Sequence, residues 1–131
     1  MARGKKRFKV VVLGLGRVGS TFLSKLSQID DLGIDIVGAV EKDSAAAGYS
    51  MAKSADIPVY ASPRDIVRLG EAIDIIFDLS GSVETRKLLR ADLARAGNQH
   101  TVLVTEVMAH LIWNLMDEVG GLPDFHHDTG Y

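Results

Sequence analysis

Residues 8–20 of the chain read FKVVVLGLGRVGS, an apolar run followed by a glycine-rich turn. The run from Phe8 to Leu13 is short and rich in valine, which is typical of a strand buried on both faces of a parallel sheet. The glycines then follow the spacing G-x-G-x-x-G, and from Val18 onward apolar residues recur every three or four positions. This succession predicts a strand, a tight turn and an amphipathic helix.

The rest of the chain repeats the same alternation of apolar runs and helical stripes. Strands are predicted at residues 34–40, 57–60, 73–79 and 100–105, and helices at 45–55, 63–69, 83–96 and 107–119. Gly70 is placed to end the helix at 63–69, Ser82 to cap the helix at 83–96, and Gly97 to end that helix in a left-handed conformation. Strands that alternate with helices through short turns form parallel sheets with right-handed crossovers. The sequence therefore predicts an α/β fold, a doubly wound parallel sheet of about five strands in three layers, with strand order 3-2-1-4-5.

Composition limits the classes to which the protein can belong. With 131 residues, 47% of them hydrophobic, the chain fits one globular domain, which we place at residues 8–119 between a basic arm (1–7) and a tail or truncated linker (120–131). The absence of cysteine excludes disulfides and thiolate chemistry and suits a reducing cytoplasm, where we expect the protein. A net charge of -2 argues against a dedicated nucleic-acid binder, and no apolar stretch is long enough to span a membrane.

The glycine turn has the features of a dinucleotide phosphate site. In such turns the first glycine allows the tight bend, the second lets the backbone approach a pyrophosphate, and the third lets the helix pack on the strand. The N-terminus of the helix adds free N–H groups and a partial positive charge. The candidate residues are Gly14, Gly16, Arg17, Val18 and Gly19. Ser20 and Thr21 are further candidate donors, and a turn kept only for close packing is the alternative.

Glu41 lies at the end of the second predicted strand, 22 residues after Gly19. A carboxylate at this position accepts hydrogen bonds from both ribose hydroxyls and repels a 2′-phosphate, which favours NAD(H) over NADP(H). The basic neighbour Lys42 could accommodate a phosphate in part. The simpler alternative is that Glu41 is a solvated charge at the end of a strand.

The fourth predicted strand ends in the sequence Asp78-Leu79-Ser80-Gly81-Ser82. Loops at the carboxyl ends of parallel strands line the ligand crevice, so Ser80, Gly81 and Ser82 are candidates to meet the nicotinamide-side ribose and phosphate. Asp78 is interpreted as a structural acid hydrogen-bonded to nearby backbone N–H groups, with a general base as the alternative.

Through these residues the chain resembles the amino-terminal NAD(P)-binding Rossmann domain of homoserine dehydrogenase and dihydrodipicolinate reductase. The resemblance spans about residues 8–105 and is carried by residues 14–19, 41–43, 57–60 and 78–81. It implies binding of a nicotinamide dinucleotide at these positions. In homoserine dehydrogenase-like chains a segment with an essential lysine follows the fifth strand and precedes a large catalytic domain. Here that segment reads Val104-Thr105-Glu106-Val107, without a lysine, so the resemblance implies no catalytic residue.

The last predicted helix, residues 107–119, is apolar on more than the one stripe that a sheet can cover. The surplus of apolar residues predicts a homodimer, or docking onto another domain, through a face centred on Trp113 with Leu111, Leu115 and Met116.

The aspartates and histidines at residues 124–128 are interpreted as part of a solvated tail, with a metal site as the alternative.

Three functions follow from these observations. The first is an NAD(H)-binding module, either sensing or regulatory, or a cofactor-binding subunit whose partner supplies the chemistry. The second is a truncated or minimal NAD-dependent dehydrogenase of the homoserine dehydrogenase type. The third is a domain that binds CoA or another nucleotide, because a phosphate-binding turn does not by itself name the nucleotide.

Overall fold

The computed structural model describes residues 6–29 and 33–116, which form a parallel sheet with helices on both faces. The elements are β1 (Phe8–Leu13), α1 (Arg17–Gln28), β2 (Ile34–Val40), α2 (Tyr49–Ser54), β3 (Val59–Tyr60), α3 (Pro63–Val67), a 3-10 turn (Gly70–Ala72), β4 (Ile75–Asp78), α4 (Val83–Arg95), β5 (Val102–Val104) and α5 (Glu106–Met116). The five strands are all parallel and lie in the order β3-β2-β1-β4-β5. The predicted fold class and strand order are both confirmed.

β1 is the central strand, and its side chains divide the core into two layers. Val10 and Val12 point to the face covered by α1, α2 and α5, whereas Val11 and Leu13 point to the face covered by α3 and α4. The three valines have no exposed surface, as expected for the middle strand of a sheet covered on both sides. The alternation along one strand therefore builds the three-layer arrangement.

α1 packs on the sheet through the stripe that the sequence indicated. Its buried residues are Val18, Gly19, Phe22, Leu23 and Leu26. The ring of Phe22 lies 4.9 Å from that of Phe77 in β4, at an interplanar angle of 58°. This tilted contact fixes the helix over β1 and β4 and so orients the helix N-terminus at the carboxyl edge of the sheet.

The helix predicted at residues 45–55 is shorter than expected and begins only at Tyr49. Before it, the Asp43 carboxylate accepts a hydrogen bond from the Ala45 N–H (2.9 Å), which favours a turn over a helix. The Gly48 N–H donates to the Leu15 carbonyl at 2.8 Å, so this segment is tied to the glycine turn rather than to its own helix. Similarly, α3 ends at Val67, and Gly70, predicted to end that helix, begins the 3-10 turn with a φ of +63°.

Three predicted strands are trimmed at their ends. Residues 57–60, 73–79 and 100–105 contribute only Val59–Tyr60, Ile75–Asp78 and Val102–Val104. The flanking groups make other hydrogen bonds, since the Asn98 side chain accepts from the N–H groups of His100 and Thr101 at 2.9 and 3.0 Å. The segment before β5, which the sequence could not distinguish from a strand end, is therefore held by a side chain.

Charged pairs tie the amino edge of the sheet together. Arg7 Nη2 lies 2.6 Å from Asp35 Oδ1, and its hydrogen bonds hold the pKa of the Asp35 carboxyl below the usual value. The Lys9 N–H donates to Asp74 Oδ2 at 2.7 Å and is the main cause of the lowered pKa of Asp74. His100 Nε2 lies 2.6 Å from the other oxygen of the same carboxylate and lowers this pKa further.

α5 corrects the prediction for the last helix. The helix begins at Glu106 and is described to Met116. Three predicted segments lie outside the described ranges: residues 117–119 of this helix, residues 1–5 of the basic arm and the tail at 120–131. Trp113 is only 8% exposed and packs in the core with α1, so it does not centre a free apolar face. The exposed apolar residues of α5 are Val107, Met108, Leu111 and Leu115. No helix within the described ranges is long and apolar enough to cross a membrane.

Candidate functional site

A crevice of about 430 Å³ opens at the carboxyl edge of the sheet, where the strand order reverses around β1. This is the position at which open α/β sheets bind ligands. Among the predicted site residues, it is lined by Gly14, Gly16, Glu41, Lys42, Ser80 and Ser82. The rest of its wall was not evident from the sequence and is formed by Leu13, Val40, Ala61, Pro63, Leu79 and Thr85. The segments that follow β1, β2, β3 and β4, four in all, thus meet at one opening.

The three glycines of the turn differ in the space around them. Gly14 has a φ of +94°, and a Cβ there would lie 2.7 Å from the Ser80 Cα. A Cβ at Gly19 would lie 1.8 Å from the Gly14 carbonyl oxygen, which shows how closely α1 packs on the turn. A Cβ at Gly16 would meet no atom within 4 Å. The first and third glycines are therefore required by packing within the chain, and the second leaves open space beside the crevice.

The other candidate phosphate residues lie around the start of α1. Arg17 is exposed, whereas Val18 and Gly19 are buried, and none of the three lines the crevice. The hydroxyls of Ser20 and Thr21 donate to the Arg17 carbonyl at 3.2 and 2.8 Å. These two side chains line a separate groove beside α2 and α5, so they do not add donors to the crevice as the sequence suggested.

The Glu41 carboxylate is bound to the glycine turn rather than solvated freely. Its Oε1 accepts a hydrogen bond from the Leu15 N–H at 2.8 Å, and its Oε2 accepts one from the Asp43 N–H at 3.1 Å. An ionised carboxylate has about four acceptor positions, so each oxygen retains capacity for a ligand hydroxyl. The interpretation of Glu41 as only a solvated strand-end charge is therefore wrong. Lys42 lines the same crevice and is exposed.

Asp78 ends β4 beneath the loop that lines the crevice. Its Oδ1 accepts hydrogen bonds from the Ser80 N–H (3.1 Å) and hydroxyl (2.6 Å), which confirms its interpretation as a structural acid. Its second partner, Arg86, was not predicted from the sequence, and the Arg86 Nη1 lies 3.7 Å from Asp78 Oδ2. Arg86 lies three and seven residues before Leu89 and Leu93, which are buried. A charged residue on the apolar stripe of α4 was therefore the feature of the sequence that could have indicated a buried ion pair.

The loop between β4 and α4 also contains Gly81, which has a φ of +71° and does not line the crevice. Ser82 ends the loop and caps α4, with its hydroxyl oxygen accepting a hydrogen bond from the Thr85 N–H at 3.1 Å. This cap was predicted from the sequence and is confirmed. It leaves the first N–H groups of α4 beside the crevice, since both Ser82 and Thr85 line it.

Comparison with known structures agrees with this arrangement. The chain is similar to the homoserine dehydrogenase of Thiobacillus denitrificans, with a TM-score of 0.56 and 25% identity over 88% of this chain and 27% of that chain. The fold is Rossmann-like. A homoserine dehydrogenase of S. aureus gives a TM-score of 0.50 at 19% identity over 77% of this chain and 32% of that one, and at this identity the likeness concerns the fold alone.

This Rossmann-like chain spans about a quarter to a third of the length of the two dehydrogenases. The predicted resemblance to the amino-terminal domain of homoserine dehydrogenase is confirmed. No protein-family model matches the chain, and no curated protein matches it.

Proposed function

We propose that the crevice binds NAD(H) and that the domain is an NAD(H)-binding module, sensing or regulatory, or a cofactor-binding subunit that works with a catalytic partner. The observation that carries the proposal is that Glu41 and the glycine turn line one crevice and are joined by the 2.8 Å hydrogen bond from the Leu15 N–H. A dinucleotide needs a pyrophosphate site and a ribose site on one continuous surface, and the glycine turn and Glu41 in one crevice support that arrangement.

In this proposal the pyrophosphate lies against Gly16 and the N-terminus of α1. The open space at Gly16 allows the backbone to be approached closely, and the partial positive charge at the start of α1 attracts the phosphates. Exposed Arg17 adds a cation near the same helix end. Ser80 and Ser82, which line the crevice, contact the nicotinamide side of the dinucleotide in this proposal.

The Glu41 carboxylate is proposed to bind the ribose hydroxyls and thereby to select NAD(H) over NADP(H). We expect Glu41→Arg to weaken NAD(H) binding by about 10- to 100-fold, the equivalent of one hydrogen bond to a charged group, and to improve NADP(H) binding. Glu71→Arg makes the same change of charge at an exposed residue outside the crevice and is the matched control. If Glu41→Arg leaves both affinities as in the wild type, the ribose assignment is wrong.

Calorimetric titration of the purified chain with NAD, NADH, NADP and CoA tests the proposal directly. Preferential binding of NAD or NADH supports it. Preferential binding of CoA, the other nucleotide considered for this fold, replaces it. Absence of binding by all four ligands overturns it.

The alternative function is a dehydrogenase of the homoserine type, of which this chain supplies the cofactor-binding part. It is favoured by the 25% identity to the Thiobacillus denitrificans enzyme over 88% of this chain. Homoserine-dependent formation of NADH by the purified chain would support this alternative over a binding module. The module proposal predicts no turnover, because the described crevice residues include no lysine following β5.

We also propose that a second copy of the chain packs against the exposed face of α5. Val107, Leu111 and Leu115 follow a spacing of four residues and are 45%, 50% and 78% exposed, so they form one apolar stripe. Such a stripe can meet its own counterpart across a two-fold axis. Light scattering should show a dimer near 28 kDa, twice the 14.2 kDa chain, and Leu115→Asp should give monomers. A monomeric wild type would refute this assembly.

A further inference from the structure

A buried ion pair lies directly behind the part of the crevice wall that β4 provides. Asp78 Oδ2 and Arg86 Nη1 are 3.7 Å apart, and the two side chains are 0% and 8% exposed. Neither residue lines the crevice. The other oxygen of Asp78 binds both the N–H and the hydroxyl of Ser80, which does line it. The pair is therefore connected to the crevice through the Ser80 side chain.

The hydrogen bonds of Ser80 determine what this side chain can offer to a ligand. A serine hydroxyl has one proton and two lone pairs. The proton is directed at Asp78 Oδ1 at 2.6 Å, a distance typical of a hydrogen bond to a carboxylate. One lone pair accepts the Ser82 N–H at 3.2 Å. What remains is one acceptor position, so Ser80 can bind a group that carries a proton and cannot donate to a phosphate oxygen.

Arg86 explains why this orientation persists. Its Nη1 lies 3.7 Å from Asp78 Oδ2, while Asp78 Oδ1 accepts the hydrogen bonds of the Ser80 N–H and hydroxyl. The two carboxylate oxygens thus have different partners, and the ion pair fixes the orientation of the group that accepts the Ser80 proton. A buried ion pair contributes little net stability compared with apolar residues of similar size. The main effect of this pair is therefore on the orientation of the Asp78 carboxylate and the Ser80 hydroxyl.

We propose that Asp78 and Arg86 are positioning residues that make Ser80 an obligate hydrogen-bond acceptor and hold the Ser80–Ser82 loop in place. The crevice wall at β4 then takes a ligand hydroxyl or amide N–H, such as those of a ribose or a carboxamide, and not a phosphate. The nucleotide part of this inference rests on the proposed function. The part that concerns the loop applies to the free protein and does not depend on any ligand.

The test begins with Arg86→Met, which removes the charge from a residue outside the crevice. Nuclear magnetic resonance of the free protein should show the Ser82 amide exchanging with solvent about 10-fold faster, with shifted Ser80 resonances. Leu93→Ala, at the other end of α4 and 9% exposed in the wild type, is the control for general destabilisation and should leave the relative protection of this amide unchanged. The double variant Asp78→Asn/Arg86→Met removes both charges of the pair together and keeps the test open if the single variant does not fold.

The second readout is the affinity for NADH. We expect Arg86→Met and Ser80→Ala each to weaken it by roughly 10-fold, whereas Arg86→Lys, which retains the charge, should lose less. Unchanged exchange at Ser82 together with wild-type affinity in Arg86→Met would overturn the positioning role. If the wild type does not bind NADH, the proposed function fails, and the exchange measurement still decides whether the pair holds the loop.

Discussion

Gly16 and Gly19 lie three residues apart in one turn, but added side chains at these positions should have opposite consequences. A Cβ at Gly16 would meet no atom within 4 Å, and the residue has a φ of −73°, which any amino acid adopts. A Cβ at Gly19 would be 1.8 Å from the Gly14 carbonyl oxygen. We therefore predict that Gly16→Val folds normally and loses dinucleotide binding, and that Gly19→Ala loses stability first.

The contacts set the size of each effect. At Gly19 the obstructing atom belongs to the backbone and cannot rotate away, so we expect the upper end of the usual overpacking cost, about 3 kcal/mol. The higher helix propensity of alanine offsets about 1 kcal/mol of this cost. The net loss of about 2 kcal/mol lowers the melting temperature by roughly 6–10 °C in a domain of this size. At Gly16 the valine side chain displaces the phosphate from the helix N-terminus. Losing one hydrogen bond to a charged group weakens binding by about 10- to 100-fold.

Both effects can be measured with the same two assays, thermal unfolding and calorimetric titration with NADH. If Gly16→Val binds NADH as tightly as the wild type, the turn is not the phosphate site. If Gly19→Ala melts at the wild-type temperature, the packing argument for the third glycine is wrong.

Two further predictions concern stability. Because the pKa values of Asp35 and Asp74 are lowered in the folded protein, these carboxylates stabilise it above their unfolded pKa of about 3.8 and lose this effect as the pH falls through the folded values. Urea unfolding between pH 5 and about 2 should show this loss, and Asp74→Asn should reduce it. Trp113→Ala should cost about 3–5 kcal/mol in urea unfolding, since Trp113 is 8% exposed, whereas Leu88→Ala, at a residue of α4 that is 58% exposed, should change the unfolding free energy by about 0.5 kcal/mol or less.

The fold could be predicted because local patterns agree with the tertiary arrangement. The valine run of β1 and the stripe of α1 each report burial directly, and the succession of strands and helices restricts the topology to few solutions. The Ser82 cap and the positive φ of Gly97 after α4 were likewise readable from single residues. Element ends were less predictable, because they depend on side chains such as Asn98 that bind the backbone two or three residues away.

The candidate site was predicted less completely, for reasons of distance along the chain. The sequence identifies Gly16 and Glu41 through their spacing, but Pro63 and Thr85 reach the crevice only because the loops after β3 and β4 converge there. The apolar content of α5 was visible, whereas the assignment of Trp113 to the core depends on its packing with α1. Periodicity indicates how many apolar residues a helix has, and tertiary contacts decide which of them are covered.

The glycine turn is held from three sides before any ligand arrives. The Gly14 N–H donates to the Val40 carbonyl at 2.8 Å, and the Leu15 N–H and carbonyl bind Glu41 and Gly48 at the same distance. On the third side, the Gly14 Cα faces the Ser80 backbone so closely that a Cβ would not fit. A site fixed in this way loses little conformational entropy on binding, so its affinity is decided by electrostatic and steric fit rather than by loop ordering. A small change at Gly16, which makes none of these contacts, should therefore change affinity directly, whereas a change at Glu41 also removes the hydrogen bond from the Leu15 N–H.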